Sequence, residues 1–325
     1  MAPLEDTGTV QISVIICTRN RAKQLRHVLE SAAAMEVPTG LTWELVLVDN
    51  GSTDHTPEVA QSFAGRLPIL RVTEDEPGLS NARNRGVSEA GGDYICWTDD
   101  DVLIDPQWLA AYARAFDRHP EAGYFGGPID LVLEPPTPTW LRDNRAALGA
   151  MLAERQLGDV PIRFDPQADL IPYGANYAVR TKEQRAHRYD PNLGVSPTQH
   201  RLGEETTVIA AINDAGSKGW WVPDARVRHI IPAERQTLRH FLDYQHSAGE
   251  TAAYLAEHGP ASFVRRSMRV SSWNFRRVPV HLWLLMMGHL TLSRILRLFG
   301  GSSWLHHFLQ YGFFRGAIRY WQNQN

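Results

Sequence analysis

The sequence has 325 residues, of which 43% are hydrophobic, and its formal net charge is −3. This length allows one large domain or a domain with a substantial appendage, and the hydrophobic fraction is sufficient for a real core. Cys17 and Cys96 both lie in apolar, strand-like runs, which argues against a disulfide framework and indicates a reducing compartment. Residues 1–10 lack the apolar stretch of a signal peptide, and no uncharged apolar run reaches the roughly 20 residues that cross a bilayer.

Predicted strands and helices alternate along the first 127 residues. Each predicted strand is a short run that is apolar throughout, and the four strands cover 11–17, 43–48, 68–72 and 93–97. Helical patterns follow them over 22–34, up to about residue 63, over 78–90 and from Pro106 onward. This alternation predicts a parallel sheet that is covered on both faces.

Polar motifs follow three of these strands at the point where each strand ends, namely Thr18-Arg19, Asp49 and the triplet Asp99-Asp100-Asp101. Because ligands of such sheets bind beyond the carboxyl ends of the strands, these positions predict one shared site. Three adjacent carboxylates repel one another, so the triplet indicates a hard divalent cation held by oxygen ligands, with a phosphate as a further partner. The alternative is an acidic turn after a strand.

Beyond Gly127 the pattern is less regular. It predicts a proline-rich stretch over 133–140, an insertion over 142–160, a strand-like segment that ends at Arg180 and two short strands within 218–231. Helices are predicted over 204–215 and 238–258. Neither an internal repeat nor a low-complexity linker separates these segments.

In their order and spacing, the motifs resemble those of the inverting glycosyltransferases of family 2. The resemblance covers roughly residues 11–235 and rests on SVIICTRN at 13–20, VDNGSTD at 48–54, GLSNARN at 78–84, TDDD at 98–101, GAN at 174–176, GEE at 203–205 and VRH at 227–229. It implies the GT-A fold, a Rossmann-like α/β architecture with a mixed, mainly parallel sheet flanked by helices. It also implies a nucleotide-binding half over 11–127 and an acceptor half over 128–235. Residues 1–10 are predicted to be an N-terminal extension, and the sequence from 236 to 325 predicts a helical C-terminal region that is rich in Arg and Trp.

Within this resemblance, Thr18, Arg19 and Asn20 would line the nucleotide pocket, and Asp49 would accept hydrogen bonds from the base. An ionised Asp is acceptor-only, which suits a uracil or guanine N–H. The alternative for Asp49 is an Asx-turn. Arg83 lies on a predicted helix near the strand ends, where it either meets a phosphate or pairs with a surface acid.

The triplet resembles the DxD motif of the family, and the cation implied is Mn²⁺ or Mg²⁺. Asp101 would be a metal ligand, and Asp99 would face the ribose or the cation. Asp100 belongs to the same nucleotide-binding segment, although it alternates away from both neighbours. His229 falls where family members often place a histidine that binds the metal or the leaving diphosphate, and a neutral imidazole can ligate Mn²⁺. The alternative for His229 is a structural histidine in a strand.

Inversion in one displacement needs a base that removes the proton of the acceptor hydroxyl. Glu204 and Glu205 resemble the acidic pair of the family, whose second member usually serves as the base, so this role is carried to Glu205. The sequence has Glu where Asp is common in the family. The alternative is a favourable charge at a helix N-terminus. The acceptor-side loop, where amide groups would hold sugar hydroxyls, corresponds to Gly174, Ala175 and Asn176.

The C-terminal tail, residues 258–325, differs in charge composition from the rest of the sequence. After Glu257 the sequence contains no Asp or Glu and nine arginines, which are interspersed with Phe and Trp. Such a segment suits the interface of an anionic membrane, and it predicts a cytoplasmic enzyme held peripherally at the inner face of the plasma membrane. The alternative is a helical subdomain whose arginines meet the acidic body. Nucleic acid is not an expected partner, because the catalytic motifs point elsewhere.

The sequence therefore predicts a metal-dependent glycosyltransferase that takes a sugar from a nucleotide diphosphate sugar. UDP is favoured over GDP and dTDP, and the acceptor is a glycan or lipid-linked intermediate in cell-surface polysaccharide or glycolipid synthesis. One alternative is a non-catalytic sugar-nucleotide or glycan-binding module, which loss of the carboxylates would have indicated. The other is a nucleotidyltransferase, which would carry a glycine-rich loop directly after the first strand, where residues 18–21 contain no glycine.

Overall fold

The structure is a computed structural model that describes residues 10–168, 170–259, 274–275 and 278–324. The chain divides into two compact units. The first comprises the residues up to Val132, Ala153–Pro191 and Glu204–Ile230, and the second comprises Leu133–Leu152, Asn192–Gly203 and the residues from Ile231 onward. Except for Val10, the predicted N-terminal extension lies outside the described residues. The predicted domain boundary at residue 235 stays a prediction, because the two units interleave along the chain.

The strands, in chain order, are β1 Ile12–Thr18, β2 Trp43–Asp49, β3 Ile69–Thr73, β4 Tyr94–Asp99, β5 Val102–Ile104, β6 Ala122–Gly126, β7 Ile129–Leu133, β8 Asn176–Arg180, β9 Gly194–Val195, β10 His200–Arg201, β11 Lys218–Trp221, β12 Val227–Ile231, β13 Asn274–Phe275 and β14 Val278–Pro279. The helices are α1 Ala22–Ala32, α2 Thr56–Ser62, α3 Leu79–Glu89, α4 Trp108–Arg118, α5 Thr139–Asp143, α6 Arg145–Leu148, α7 Thr181–Ala186, α8 Glu204–Asp214, α9 Leu238–His258, α10 Val280–Leu298 and α11 Ser303–Gln322.

The first unit is built around a seven-stranded sheet with the order β11-β6-β8-β4-β1-β2-β3. Strand β1 pairs in parallel with β2 and β4, β2 pairs in parallel with β3, and β11 pairs in parallel with β6. Only β8 runs against its neighbours β4 and β6. The predicted mixed, mainly parallel sheet is thus confirmed. A second, three-stranded sheet has the order β5-β12-β7.

Both faces of the seven-stranded sheet are buried, because its side chains alternate between two hydrophobic clusters. On β1, Val14 and Ile16 belong to one cluster and Ile15 to the other. On β4, Cys96 belongs to the first cluster and Trp97 to the second. A strand has a side-chain period of two residues, so burial on both faces requires the continuous apolar runs seen in the sequence. In the central strands β1, β2 and β4, polar side chains therefore lie at or next to the strand ends.

The second unit contains the long helices α9, α10 and α11. Helices α9 and α11 approach backbone to backbone. A β-carbon added to Gly249 would lie 1.8 Å from the carbonyl oxygen of Phe313, and one added to Gly316 would lie 1.9 Å from that of His246. Only glycine allows this spacing. Within the described ranges, no helix combines the length and the apolar character needed to cross a membrane.

Candidate active site

The predicted site lies where β1, β2 and β4 end together. The parallel registers place Thr18 beside Asp49 and Cys17 beside Asp99. Three segments that are separated in sequence therefore meet at one edge of the sheet. This arrangement confirms that the polar motifs converge, as the strand pattern predicts.

The acidic triplet is held by β1 and by the loop that follows it. Thr18, which is buried, donates a hydrogen bond from Oγ1 to Oδ2 of Asp100 at 2.7 Å. Arg21 Nη1 lies 3.1 Å from Asp100 Oδ1 and 2.8 Å from Asp101 Oδ2. Burial raises the pKa of Asp100 to about 7, and the charge of Arg21 opposes that rise. Thr18 and Arg21 therefore each bind one carboxylate oxygen of Asp100. The charge of Arg21 also offsets the repulsion between the neighbouring carboxylates of Asp100 and Asp101.

Asp101 and His229 form a buried pair of potential metal ligands. His229 Nε2 lies 3.3 Å from Asp101 Oδ1, and both residues are buried. The backbone fixes this approach, because β5 and β12 pair antiparallel with His229 opposite Val102, and Ile230 N donates to the carbonyl oxygen of Asp101 at 3.0 Å. A carboxylate oxygen and an imidazole nitrogen match the donor preferences of Mn²⁺.

Asp99, the third predicted ligand, has a different neighbour. Its carboxylate is 36% exposed, and Oδ1 lies 3.5 Å from Nη2 of Arg83. Across the ranges that the structure describes, no group of three or more His, Cys, Asp or Glu side chains is arranged to hold a metal ion. Asp101 and His229 would thus supply two ligands of a cation, and phosphate oxygens and water would complete its coordination.

Arg83 joins the two acidic groups of the site. Its guanidinium is buried in α3, with Nη1 at 3.2 Å from Oε1 of Glu204 and Nη2 near Asp99. It lies over the rings of Trp97, Tyr177 and Tyr189, at 5.6–6.0 Å from their centroids. An arginine stays charged when buried, and aromatic faces and carboxylates are the partners that such a cation needs. The sequence offered a phosphate or a surface acid as its partner, whereas the structure places it between two acids of the site.

Replacement of Arg83 by methionine is expected to lower the free energy of unfolding by about 3–5 kcal/mol, because it leaves the buried Glu204 without its cation. The matched control is Arg85→Met on the same helix. Arg85 pairs with Glu89 on the surface, at 2.9 Å, and such a pair contributes about 0.5 kcal/mol or less. Urea unfolding measures both variants, and equal losses would show that the Arg83 contacts do not stabilise the fold.

The acidic pair opens α8, and its two members differ in environment. Glu204 is buried against Arg83, whereas Glu205 is only half-buried. A β-carbon added to Gly174 would lie 3.3 Å from Cδ of Glu205 and 3.3 Å from Nη2 of Arg83. The glycine thus lets the backbone of this loop lie directly against the carboxylate of Glu205. Of the two acids, Glu205 is the more exposed to solvent.

Burial, and secondarily the charge of Glu205, raises the pKa of Glu204 from 4.5 to about 7. The folded state thus holds this proton more tightly than the unfolded chain, so its contribution to stability is complete below about pH 4.5 and is lost as the pH rises through 7. The side chain of Glu204→Gln cannot titrate. As the pH rises from 4.5 to about 7, the free energy of unfolding of this variant is expected to fall less than that of wild type, by roughly 1.4 kcal/mol for each pH unit. Urea unfolding at several pH values measures the difference, and parallel pH curves would contradict the raised pKa.

The structure contradicts the prediction that Asn176 holds acceptor hydroxyls. This side chain is fully buried, and its Oδ1 accepts hydrogen bonds from Trp108 Nε1 and the Tyr112 hydroxyl, both at 2.8 Å. Its Nδ2 donates to the carbonyl oxygens of Pro128 at 2.9 Å and Ala225 at 2.7 Å. An amide has two donor hydrogens and two acceptor lone pairs, so its capacity is filled by the protein. Asn176 is a structural link between segments of the first unit.

The other two residues of the predicted acceptor loop, Gly174 and Ala175, differ in their exposure to solvent. Ala175 is buried, and its carbonyl oxygen accepts a hydrogen bond from Thr98 Oγ1 at 3.1 Å. Gly174, one residue earlier, is partly exposed and lies beside Glu205. Of the three predicted positions, the backbone of Gly174 is the one that borders the acidic pair.

The loops at the nucleotide end are connected by short polar links. Asp49 Oδ1 accepts a hydrogen bond from Ser52 N at 2.9 Å, and Asn20 Oδ1 accepts one from Thr53 N at 2.7 Å. One oxygen of Asp49 thus fixes the local turn, which was the alternative interpretation of this residue. Asn20 has a φ of +52° and connects the loop after β1 to the loop after β2. Arg19, beside it, is exposed.

Two residues of the site region were not assigned a role from the sequence. Arg21 bridges two members of the triplet. Asn50 donates from Nδ2 to the carbonyl oxygens of Glu74 and Glu76, and its Oδ1 accepts from Gly78 N. Asn50 thereby ties β2 to the turn that leads into α3. The available signals were that Asn50 lies inside the motif at 48–54 and that Arg21 directly follows the motif at 13–20.

The mainly parallel sheet, with an acidic triplet, an adjoining histidine and a second acidic pair at its carboxyl edge, has the architecture of the GT-A fold of glycosyltransferases. The family model described as "Glycosyl transferase family 2" matches residues 13–168. Residues 13–168 thus belong to glycosyltransferase family 2.

Named relatives and solved structures agree with this membership. The chain is 25% identical over 245 residues to the succinoglycan biosynthesis protein ExoM of Rhizobium meliloti, which covers 75% of this chain and 74% of the relative. It is 27% identical over 230 residues to the glucosyl-dolichyl phosphate glucuronosyltransferase of Haloferax volcanii, covering 68% and 70%. Among solved structures, the chain resembles the mannosyltransferase PcManGT from Pyrobaculum calidifontis in complex with GDP-Man and Mn²⁺. The TM-score is 0.59 and the identity is 18%, and the match covers 98% of this chain and 89% of that one. The structural likeness concerns the fold.

Proposed function

We propose that the protein transfers one sugar from a nucleotide diphosphate sugar to a glycan or lipid-linked acceptor, with inversion at the anomeric carbon. The observation that carries this proposal is the position of Arg83, within ion-pair distance of both Asp99 and Glu204. The donor-binding triplet and the acidic pair therefore share one edge of the sheet. Activation of the donor sugar and removal of the proton from the acceptor hydroxyl can then take place at one site.

Glu205 is the base in this proposal. Its carboxylate removes the proton of the acceptor hydroxyl while that oxygen bonds to the anomeric carbon, and the bond from this carbon to the diphosphate oxygen breaks. The nucleoside diphosphate leaves with the electron pair, on the face opposite to attack. Glu204, buried against Arg83, positions α8, and the backbone at Gly174 borders the acceptor.

Asp101 and His229 would hold Mn²⁺ or Mg²⁺, and Asp99 would face the ribose or the cation. Such a cation screens the diphosphate and stabilises the charge that develops on the leaving group. The Asp101–His229 separation of 3.3 Å and the donor chemistry of the pair support this assignment. Arg21 and Thr18 keep the adjacent carboxylates in place, as their contacts with Asp100 and Asp101 indicate.

UDP is the proposed nucleotide, with GDP as the principal competitor. The Asp49 oxygen that does not fix the turn is assigned to a base N–H, and Thr18, Arg19 and Asn20 line the pocket around it. Calorimetric titration of UDP, GDP and dTDP, each with and without Mn²⁺, tests the proposal. Metal-dependent binding of one nucleotide is the expected result. Failure of all three to bind would favour a non-catalytic module on the same fold.

The relatives suggest the biological setting. One relative is named for succinoglycan biosynthesis and another for transfer to a dolichyl phosphate-linked sugar, so we place this protein in polysaccharide or glycolipid synthesis. A lipid-linked acceptor would be met at the cytoplasmic face of the plasma membrane, and the acid-free tail after Glu257 is the segment proposed to contact that surface.

A further inference from the structure

Helix α10 presents an apolar face to solvent. Its buried residues, Leu282 and Ser293, lie on the side that faces the other helices of the second unit. On the opposite side, exposed large hydrophobic residues recur along the helix and continue to the residue that caps its C-terminus. We call this set the α10 stripe, and it consists of Leu284, Met287, Leu292, Ile295, Leu298 and Phe299. The exposed fraction reaches 69% at Leu284, 84% at Leu298 and 81% at Phe299.

This distribution differs from that in an ordinary surface helix. Such a helix buries its apolar side and gives polar residues to the solvent. Here a serine is buried, whereas leucine, isoleucine, methionine and phenylalanine are exposed. The stripe runs along one side of the helix for about 20 Å, at a rise of about 1.5 Å per residue. A continuous exposed apolar surface of this kind marks an interaction site.

The charge around the stripe has one sign. Arg294 and Arg297 are exposed on α10, and at 100° per residue both lie on the same flank of the stripe. Arg315 is exposed on α11. The sequence contains no acid after Glu257, so this segment carries no carboxylate to pair with these arginines on a second copy of the chain. Two stripes placed face to face would bring cations together, which disfavours a second copy as the partner.

We propose that α10 lies flat on an anionic bilayer, with the α10 stripe in the boundary between head groups and acyl chains and with Arg294 and Arg297 at the lipid phosphates. An apolar face with a cationic flank is the pattern of an interfacial helix. None of the described helices is suited to span the membrane, which fits attachment at the surface. This proposal rests on the function proposed above, in which the acceptor can be lipid-linked. It adds the surface of the protein that meets the membrane.

Co-sedimentation of the full chain with vesicles tests the proposal. Wild type is expected to bind vesicles that contain phosphatidylglycerol and to bind pure phosphatidylcholine vesicles more weakly. The triple variant Leu292→Gln, Ile295→Gln, Leu298→Gln is expected to bind the anionic vesicles at least about tenfold more weakly. The matched control is the triple variant Leu70→Gln, Val160→Gln, Val195→Gln, because these apolar residues are exposed outside the stripe. The control is expected to bind as wild type does.

The flanking charges give a second readout. With about 1 kcal/mol for each basic residue near such a surface and tenfold in affinity per 1.4 kcal/mol, Arg294→Gln with Arg297→Gln is expected to weaken binding by about 30-fold. This loss should shrink as salt is added. Circular dichroism and nucleotide affinity of each variant confirm that it is folded.

Three results would overturn the proposal. Wild type could fail to sediment with anionic vesicles, the stripe variant could bind them unchanged, or the stripe variant could lose only a dimer seen in wild type by light scattering. The last result would assign the stripe to a second copy of the chain. Nucleotide titration on the same samples separates this proposal from the proposed function. Vesicle binding without any nucleotide binding would contradict the transfer reaction alone.

Discussion

Replacement of Glu205 by glutamine is expected to lower kcat by about 10²–10⁴-fold, the range that a positioned general base contributes. Glutamine keeps the size of the side chain and its place beside Gly174 but cannot accept the proton of the acceptor hydroxyl. Nucleotide affinity should not change, because Glu205 acts on the acceptor. Release of nucleoside diphosphate from the donor, measured with acceptor present, gives the rate, and calorimetry gives the affinity.

Two further variants make this result specific. Glu89→Gln alters an acid of the same type on α3, where it pairs with Arg85 at the surface, and it is expected to retain full activity. Glu204→Gln leaves a polar side chain against Arg83 and tests the other member of the acidic pair. If Glu204→Gln lost turnover while Glu205→Gln kept it, the base would be Glu204. Loss of nucleotide binding in Glu205→Gln would instead assign Glu205 a structural role.

The convergence of the polar motifs was predictable from the sequence because it depends on local patterns. Continuous apolar runs fixed the strands, and parallel strands end at the same edge of a sheet. Thr18, Asp49 and Asp99 each follow such a run, so their convergence needed no knowledge of the tertiary contacts. The register between β1 and its two neighbours is the physical reason that this prediction was confirmed.

The partners of the buried polar side chains were not predictable in the same way. Arg21 meets Asp100 across 79 positions of sequence, and Arg83 meets Glu204 across an even longer separation. No periodicity records such a pairing, because it depends on how the elements pack. Asn176 shows the same limit. Its motif resembles an acceptor loop, yet four neighbours that are distant in sequence fill its hydrogen-bonding capacity.

The outward face of α10 was also hidden from the sequence. The helix is rich in apolar residues on every side, so its composition alone does not tell which face is buried. Packing of α10 against α11 determines which face is buried and leaves Leu284 and Leu298 exposed. A predicted basic and aromatic tail thereby becomes a surface with defined residues, although its partner stays a proposal.

Asp101→Asn is expected to weaken UDP binding in the presence of Mn²⁺ by about 10–100-fold or more, since loss of a residue that merely supports a metal ligand already costs that much metal affinity. Asparagine keeps the shape of the side chain but lacks the anionic oxygen. Arg21 retains Asp100 as a partner, so the fold should be kept. Without metal, wild type and variant should bind UDP equally. Asp117→Asn, which changes an exposed acid on α4, serves as the control, and Asp101→Asn binding as well as wild type would refute the metal assignment.

A double-mutant cycle with His229→Gln then decides whether the two side chains act on one ion. Their polar atoms are 3.3 Å apart, close enough to share a ligand and therefore to couple. If both hold the same cation, either substitution removes most of the metal-dependent affinity, and the double variant binds little more weakly than Asp101→Asn. Independent losses that add in free energy would instead separate their roles. Because the cycle compares binding with and without Mn²⁺, a general loss of structure at β12 would appear in both conditions and would not imitate the coupling.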